Sequence, residues 1–196
     1  MLCKDGRWLW MLARGMVVCR DADGKPLRLV GINVDISERK AAADKIENLA
    51  FYDTLTGLPN RRLLLDRLEQ SLSSSARRQR HGALMLLDMD DFKTLNDTLG
   101  HDVGDQFLIE VGKRLTAEKQ QDDIIGRLGG DEFLVASLSH VDNEEHMNQL
   151  KARFSARISG EYWLGNINLI YPGASLGVIE VDPDVTDPDS ALRAAD

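Results

Sequence analysis

Two adjacent glycines separate two short apolar stretches in the sequence "RLGGDEF", residues 127 to 133. The flanking stretches, residues 124 to 128 and 133 to 138, have the length and apolar content of β-strands. Adjacent glycines readily adopt the positive φ angles of a tight hairpin turn, because they have no Cβ atom. The pattern therefore predicts an antiparallel hairpin with Gly129 and Gly130 at its tip.

A second apolar stretch, residues 83 to 87 of "ALMLLDMDDF", ends abruptly in carboxylates at Asp88, Asp90 and Asp91. A short, nearly continuous apolar run is typical of a central strand that is buried on both faces. If the glycine hairpin pairs beside this strand, Asp88 and Asp131 can bind one divalent cation, since neighbouring carboxylates repel one another and hard cations prefer oxygen ligands. A solvated acidic turn is the alternative that these residues alone leave open.

Strand alternation sets a limit on the two carboxylates that follow the glycines. Successive side chains of a strand point to opposite faces, so Asp131 and Glu132 should face opposite ways unless the turn is bulged. We therefore expect these two carboxylates to perform different tasks.

Polar residues suited to a purine follow the acidic strand. Asn96, His101 and Asp105 lie near two turn-forming glycines, before and within a helix that we predict over residues 102 to 118. An amide both donates and accepts hydrogen bonds, and a carboxylate accepts them from the N–H groups of guanine. A histidine near a helix start is, taken alone, more often a capping or packing group.

The N-terminal part of the chain reads as a hairpin, with strands over residues 7 to 18 and 27 to 36 and a turn at Asp23-Gly24. A lone hairpin is only marginally stable in water. We therefore expect these strands to complete a larger sheet or to pack against another chain.

A helix is predicted from Ser37, and its residues Ala42, Ile46 and Leu49 have the spacing of a coiled-coil seam. Two heptads leave a solvated connector helix equally open. The next segment, residues 53 to 62 or "DTLTGLPNRR", breaks this helix and starts another, since it contains glycine, proline and asparagine.

Composition excludes some classes of function. A net charge of −8 and a pI near 5.0 argue against a nucleic-acid-binding protein, which needs clustered basic residues. The two cysteines, Cys3 and Cys19, have no framework spacing and suit a reducing compartment. No apolar run approaches the ~20 residues of a membrane span. We expect this segment to be cytoplasmic without membrane contact, although a longer parent protein could be membrane-anchored.

Three blocks in this order, "DTLTGLPNRR", "LLDMDDFKTLNDTLGHDVGD" and "RLGGDEF", resemble the GGDEF family of diguanylate cyclases over roughly residues 50 to 196. The leading stretch "DGRWLWMLARGMVVCRDADGKPLRLVGINVDISERK" resembles the last two strands of a PAS sensor domain and its exit into a signalling helix. We accordingly expect PAS-like strands over residues 1 to 36, a linker helix over 37 to 52, and a GGDEF domain over 53 to 196, truncated at its C-terminus.

The resemblance implies an α/β (α+β) fold akin to the nucleotide cyclase and polymerase palms, with a mostly antiparallel central sheet flanked by helices. It also implies a homodimer that condenses two GTP molecules into cyclic di-GMP and two pyrophosphates, under the control of the N-terminal sensor and with Mg²⁺ or Mn²⁺ as cofactor. The implied metal ligands are Asp88, Met89 through its backbone carbonyl, and Asp131. The implied substrate-binding residues are Lys93, Asn96, His101, Asp105, Gly129 and Gly130. The implied catalytic residues are Asp131, Glu132 as proton acceptor and Arg127 as a phosphate-side cation.

Two departures from the family pattern affect these expectations. The family's R-x-x-D product-inhibition string reads "QQDD" here, so that Gln120 replaces the arginine while Asp123 remains. Since an amide cannot offer a charged fork to a phosphate, we expect weak or absent feedback.

The sequence also stops at Asp196, before the lysine and arginine that hold the triphosphate in the family. We expect residues 1 to 196 alone to bind GTP poorly and to turn over little.

Two other functions remain open at this point. A catalytically weak module could bind GTP and regulate a downstream phosphodiesterase domain, but the intact Asp88, Asp131 and Glu132 favour the enzyme. A dimerising sensor output with solvated acidic clusters is the third possibility. Magnesium-dependent GTP binding would distinguish it from the other two.

Overall fold

The computed structural model describes residues 1–76, 81–137, 144–182 and 188–195. The predicted strand end at Leu138 and the terminal Asp196 lie outside these residues. The chain divides into two compact units, Met1–Ala50 and Phe51–Asp196. Within the described residues, no helix is both long and apolar enough to span a membrane.

The first unit contains the predicted hairpin and most of the helix that follows it. Strands β1 (Met11–Arg20) and β2 (Pro26–Asp35) pair antiparallel, and helix α1 (Ser37–Phe51) begins immediately afterwards. The Trp10 N–H donates to the Ser37 hydroxyl oxygen at 2.9 Å, which ties the helix start to the hairpin. Large apolar side chains of this unit remain exposed, among them Trp8, Trp10, Met16, Ile32 and Ile46.

The second unit is built on a four-stranded sheet in the order β4-β5-β3-β8, in which all neighbours are antiparallel. Its strands are β3 (Gly82–Met89), β4 (Asp123–Gly129), β5 (Glu132–Ser137) and β8 (Ala174–Val181), and a separate hairpin comprises β6 (Gly160–Leu164) and β7 (Ile167–Tyr171). The helices are α2 (Arg61–Ala76), α3 (Phe92–Leu99), α4 (His101–Glu118), α5 (Glu144–Ile158) and α6 (Pro188–Ala195). This architecture confirms the expected α/β fold with an antiparallel sheet flanked by helices.

Strand β3 is buried on both faces, which explains its continuous apolar sequence. Leu84 and Leu86 belong to the core cluster that contains residues of α2 and α6. Met85 and Leu87 belong to the opposite cluster, with residues of α4, α5 and the β6–β7 hairpin. Burial of each large aliphatic side chain contributes about 1.5–3 kcal/mol. The sheet therefore cannot shift its strand register without exposing apolar surface on both sides.

Three local predictions need correction. Residues 92–99 form a helix that the turn-like sequence did not predict, and Gly104 lies inside α4 rather than in a turn. The hairpin loop consists of Gly130 and Asp131, because Gly129 pairs with Glu132 after a register shift in β4. Both glycines nevertheless have the expected positive φ, 151° at Gly129 and 52° at Gly130.

Gly126 of β4 allows the segment before α2 to lie directly against the sheet. The Arg127 N–H donates to the Pro59 carbonyl oxygen at 3.0 Å. A Cβ atom at Gly126 would overlap that carbonyl oxygen and would lie 2.5 Å from Leu64 Cγ. Residue 126 must therefore be glycine for α2 to pack in this position.

We expect Gly126→Ala to lower the free energy of unfolding by about 1–3 kcal/mol, because the added methyl group clashes with backbone. Gly112→Ala is the matched control. Its nearest neighbour would be the Leu58 Cδ1 atom at 3.3 Å, and alanine is favoured over glycine within a helix. Urea denaturation of both variants measures the difference, and an equal effect of the two substitutions would contradict this packing.

Candidate active site at the end of the central strands

Two carboxylates lie side by side where β3 and β5 meet. The antiparallel register pairs Asp88 with Glu132, and it pairs Asp88 with Ser175 on the other side. Directly paired residues point to the same face, with Cβ atoms about 4.5–5.5 Å apart. Glu132, Asp88 and Ser175 therefore form a row across one face of the sheet. Two carboxylates at this separation repel each other and offer the oxygen donors that Mg²⁺ and Mn²⁺ prefer, so the donor set fits a divalent cation.

Asp131 occupies the hairpin loop next to this row. Its backbone carbonyl accepts a hydrogen bond from the Met89 N–H at 3.3 Å, so it lies opposite Met89 rather than opposite Asp88. Strand alternation places residues 88 and 89 on opposite faces. The register thus makes Glu132, and not Asp131, the nearest cross-strand carboxylate of Asp88. Within the described residues, no three His, Cys, Asp or Glu side chains form a metal-binding group.

Asp90 accepts hydrogen bonds through both its side chain and its backbone carbonyl, so it is not a freely solvated carboxylate. Its Oδ1 atom accepts hydrogen bonds from the Ser175 N–H at 3.1 Å and from the Ser175 hydroxyl at 2.7 Å. Its backbone carbonyl accepts a hydrogen bond from the Tyr171 hydroxyl at 2.6 Å. The following residue, Asp91, has a left-handed φ of 56° and precedes α3.

The Tyr171 hydroxyl is held in its neutral form. Burial raises the pKa of this phenol, and the negative charges of Asp90, Asp131 and Asp91 raise the pKa further. The hydroxyl is therefore a hydrogen-bond donor throughout the physiological pH range.

The predicted purine-binding residues meet at the corner between α3 and α4. The Asn96 Oδ1 atom is buried and accepts no hydrogen bond from the described residues. It lies against Gly104, where a Cβ atom would overlap it. Gly100, with a φ of 90°, connects the two helices and donates its N–H to the Asn96 carbonyl at 2.8 Å. A buried acceptor without a donor costs about 1–3 kcal/mol, which a ligand donor can offset.

The other predicted substrate residues on these two helices lie at the start of α4 and at the start of α3. His101 and Asp105 are exposed and lie four residues apart on α4, so that they share one face. Lys93 is exposed in the first turn of α3. These placements are compatible with the predicted contacts to a nucleotide.

Arg127 forms hydrogen bonds that fix the conformation of the glycine hairpin. Its Nε and Nη2 atoms donate to the Gly130 carbonyl at 3.0 and 2.6 Å, and its Nη1 atom donates to Asp53 Oδ1 at 2.9 Å. The Arg127 side chain is only 11% exposed. This arrangement holds the hairpin, and the predicted contact of Arg127 with phosphate stays a prediction.

Asp123, in the string "QQDD", is engaged within the protein. Its side chain is 1% exposed and pairs with Arg153 Nη2 of α5 at 3.0 Å. The same Oδ2 atom accepts the Gln120 N–H at 3.0 Å. Asp123 thus joins the sheet to α5.

Sequence reasoning missed Asp53, Tyr171 and Ser175. Asp53 lies 74 residues from Arg127, and Tyr171 and Ser175 lie 81 and 85 residues from Asp90. No local pattern indicates such pairs. The placement of Asp53 in the quoted block "DTLTGLPNRR" was the only available signal.

Comparisons with known families match both parts of the chain. The family model described as diguanylate cyclase, GGDEF domain, matches residues 50–196, and the PAS fold model matches residues 1–33. The chain is similar to the diguanylate cyclase DgcP of Escherichia coli, with 51% identity over 148 residues that cover 75% of this chain and 42% of that protein.

Two further proteins illustrate the range of relatives. The bifunctional diguanylate cyclase/cyclic di-GMP phosphodiesterase MucR of Pseudomonas aeruginosa is 41% identical over 130 residues, covering 66% of this chain and 18% of that protein. The crystal structure of a sensory box/GGDEF family protein from Caulobacter crescentus superposes with a TM-score of 0.69 at 31% identity, covering 74% of this chain and 92% of the other. The chain thus spans less than half the length of the two curated relatives.

We expect Asp53→Asn to lower the free energy of unfolding at pH 7 by about 1–3 kcal/mol, because it removes the charge that pairs with Arg127. Burial alone would raise the pKa of Asp53, but hydrogen bonds from Thr56 and Arg127 and the Arg127 charge hold that pKa below its usual value.

The same pKa shift predicts a pH dependence. A lowered folded-state pKa stabilises the protein above the unfolded value of about 3.9, and this contribution is lost as the pH falls through the folded-state pKa. The stability gap between wild type and Asp53→Asn should therefore narrow below about pH 4. Urea denaturation between pH 7 and pH 3 measures it, and a gap that stays constant with pH would contradict the ion pair.

Proposed function

Because this chain belongs to the GGDEF family of diguanylate cyclases, we propose that it synthesises cyclic di-GMP from GTP. The C-terminal end of a PAS fold precedes the GGDEF domain in the chain. Its role lies in cyclic di-GMP signalling, as for DgcP. In the proposed reaction, the 3′-hydroxyl of each of two GTP molecules attacks the α-phosphate of the other, and two pyrophosphates leave. The observation that carries this proposal is the paired Asp88 and Glu132 beside the glycine hairpin.

The carboxylates at the strand ends would bind the cofactor. Asp88, the Met89 backbone carbonyl and Asp131 would hold Mg²⁺ or Mn²⁺, with Asp131 reaching the ion from the hairpin loop, where strand alternation does not fix the direction of its side chain. A divalent ion in this position supplies charge neutralisation for phosphate oxygens and lowers the pKa of a bound hydroxyl. Glu132 is the proposed proton acceptor, and its pairing with Asp88 supports its placement at the reacting end of the sheet.

The α3–α4 corner would bind the guanine base. Asn96, whose side-chain amide packs against Gly104 where the two helices meet, would contact the base. Asp105 would accept hydrogen bonds from the N1–H and exocyclic amino groups of guanine, and His101 and Lys93 would contact the remainder of the nucleotide. Gly129 and Gly130 leave open space at the hairpin, since nothing lies within 4 Å of a Cβ atom built at either position.

Two copies of the chain must face each other for this reaction, because each active site holds one of the two GTP molecules. The exposed Ile46 and Leu49 of α1, which are 68% and 55% exposed, would form part of the homodimer contact and transmit control from the sensor.

The similarity to the bifunctional MucR supports a second candidate, a GTP-binding module that regulates a downstream phosphodiesterase domain. The retained Asp88, Asp131 and Glu132 favour the cyclase.

Product feedback is expected to be weak. In place of the family's arginine, Gln120 offers no charged fork, and the Asp123 carboxylate already pairs with Arg153. A cyclic dinucleotide would have to compete with this buried ion pair.

Incubation of the full-length protein with GTP and Mg²⁺ tests the proposed reaction. We expect cyclic di-GMP and pyrophosphate as products, and a loss of about a hundredfold or more in kcat/KM for Asp88→Asn and Glu132→Gln. Asp131→Ala should also abolish product while the protein stays folded. Asp102→Asn, which removes an exposed charge from the first turn of α4, is the control and should retain activity. Absence of cyclic di-GMP from wild type, with folding intact, would refute the cyclase.

A comparison of GTP with inosine triphosphate tests the guanine site. Inosine triphosphate lacks the exocyclic amino group, so wild type should prefer GTP by about tenfold or more in kcat/KM. In Asp105→Asn this preference should largely disappear, because the carboxylate acceptor is lost. An unchanged preference in the variant would place base recognition elsewhere.

A further inference from the structure

We propose that Tyr171 and Ser175 are positioning residues that hold the reacting end of β3, and that their hydroxyl groups are needed for metal-dependent GTP binding. This inference rests on the proposed function, because it concerns the same site. Neither residue belongs to the three sequence blocks that carry the family resemblance.

Asp90 is held at both ends by these two residues. The Tyr171 hydroxyl donates to its backbone carbonyl at 2.6 Å, and the Ser175 hydroxyl and N–H donate to its Oδ1 atom at 2.7 and 3.1 Å. Tyr171 belongs to the core cluster of α4 and α5, whereas Ser175 lies in the row with Asp88 on the other face of the sheet. The two contacts therefore reach Asp90 from opposite faces.

We expect the backbone around Asp90 to become more mobile when the Tyr171 and Ser175 contacts are lost. Asp91 adopts a left-handed φ of 56°, a sparsely populated conformation that aspartate tolerates better than most residues but that surrounding contacts still have to hold. Met89, whose carbonyl is a proposed metal ligand, precedes Asp90 directly. Its N–H is fixed by the Asp131 carbonyl at 3.3 Å. The Tyr171 and Ser175 contacts hold Asp90, the residue that follows Met89. The backbone is therefore held on both sides of the Met89 carbonyl.

Tyr171 also connects this corner to the proposed guanine site. Its ring packs on Phe107 of α4 at a centroid distance of 4.5 Å. Phe107 in turn stacks on Phe92, the first residue of α3, at 6.1 Å. The end of β3 and the two helices that carry Asn96 and Asp105 are thus packed on one aromatic cluster.

The same cluster supplies a matched control, Tyr162. Its hydroxyl donates to the Ile158 carbonyl at 2.6 Å, and its ring packs on Phe107 at 4.8 Å. Tyr162 is as deeply buried as Tyr171, but its hydroxyl contacts the end of α5 rather than Asp90. Replacement of either tyrosine by phenylalanine removes one hydroxyl that donates to a backbone carbonyl at 2.6 Å.

The experiment compares Tyr171→Phe with Tyr162→Phe in the full-length protein. Calorimetric titration with a non-hydrolysable GTP analogue and Mn²⁺ measures affinity, and thermal denaturation measures stability. We expect both variants to lose similar stability, whereas only Tyr171→Phe weakens Mn²⁺-dependent binding, by about fivefold. Ser175→Ala should weaken the same binding, and Ser175→Thr, which keeps the hydroxyl, should restore it.

The possible outcomes separate the two proposals. The positioning role would be overturned if Tyr171→Phe bound the GTP analogue with wild-type affinity, or if Tyr162→Phe weakened binding equally. The cyclase proposal would not be affected, because the assay of cyclic di-GMP tests it separately. Wild-type protein that binds no nucleotide in the presence of Mn²⁺ would overturn both proposals. Weakening that is confined to Tyr171→Phe and Ser175→Ala, with reversal in Ser175→Thr, would establish the positioning role.

Discussion

The register between β3 and β5 is the constraint on which the rest of the second unit depends. Side chains alternate along a strand, so a shift by one residue would move every apolar residue of β3 into the opposite core and would place Asp131 instead of Glu132 beside Asp88. The two apolar clusters on the two faces of the sheet oppose such a shift. The hydrophobic core thereby determines which carboxylates meet at the candidate site.

Several polar contacts, some exposed and some partly buried, hold this end of the sheet without belonging to the reacting groups themselves. Arg127 joins the Gly130 carbonyl to Asp53, and Asp90 receives hydrogen bonds from Tyr171 and Ser175. Such contacts add little net stability when formed, but leaving one partner unpaired costs about 1–3 kcal/mol. They therefore act by excluding alternative loop conformations, so that the carboxylates and the glycine hairpin are presented in one arrangement.

One buried group departs from this pattern. The Asn96 Oδ1 atom faces Gly104 without a donor from the described residues, although buried acceptors in folded proteins are nearly always paired. Because Gly104 has no side chain, the Asn96 amide can lie between α3 and α4. An unpaired buried acceptor of this kind reduces the stability of the folded protein.

The amino-acid sequence by itself determined the elements and the chemistry of the site. The apolar run of β3, the glycine pair of the hairpin and the carboxylates at Asp88, Asp131 and Glu132 are local features, and local periodicity and turn chemistry are sufficient to recognise them. Only the tertiary structure decided which of these groups lie together. The pairing of Asp88 with Glu132, the engagement of Arg127 by Asp53 and the contacts of Tyr171 and Ser175 with Asp90 all join residues more than 40 positions apart. Such contacts follow from strand register and core packing, which are properties of the whole folded unit and leave no trace in a local pattern.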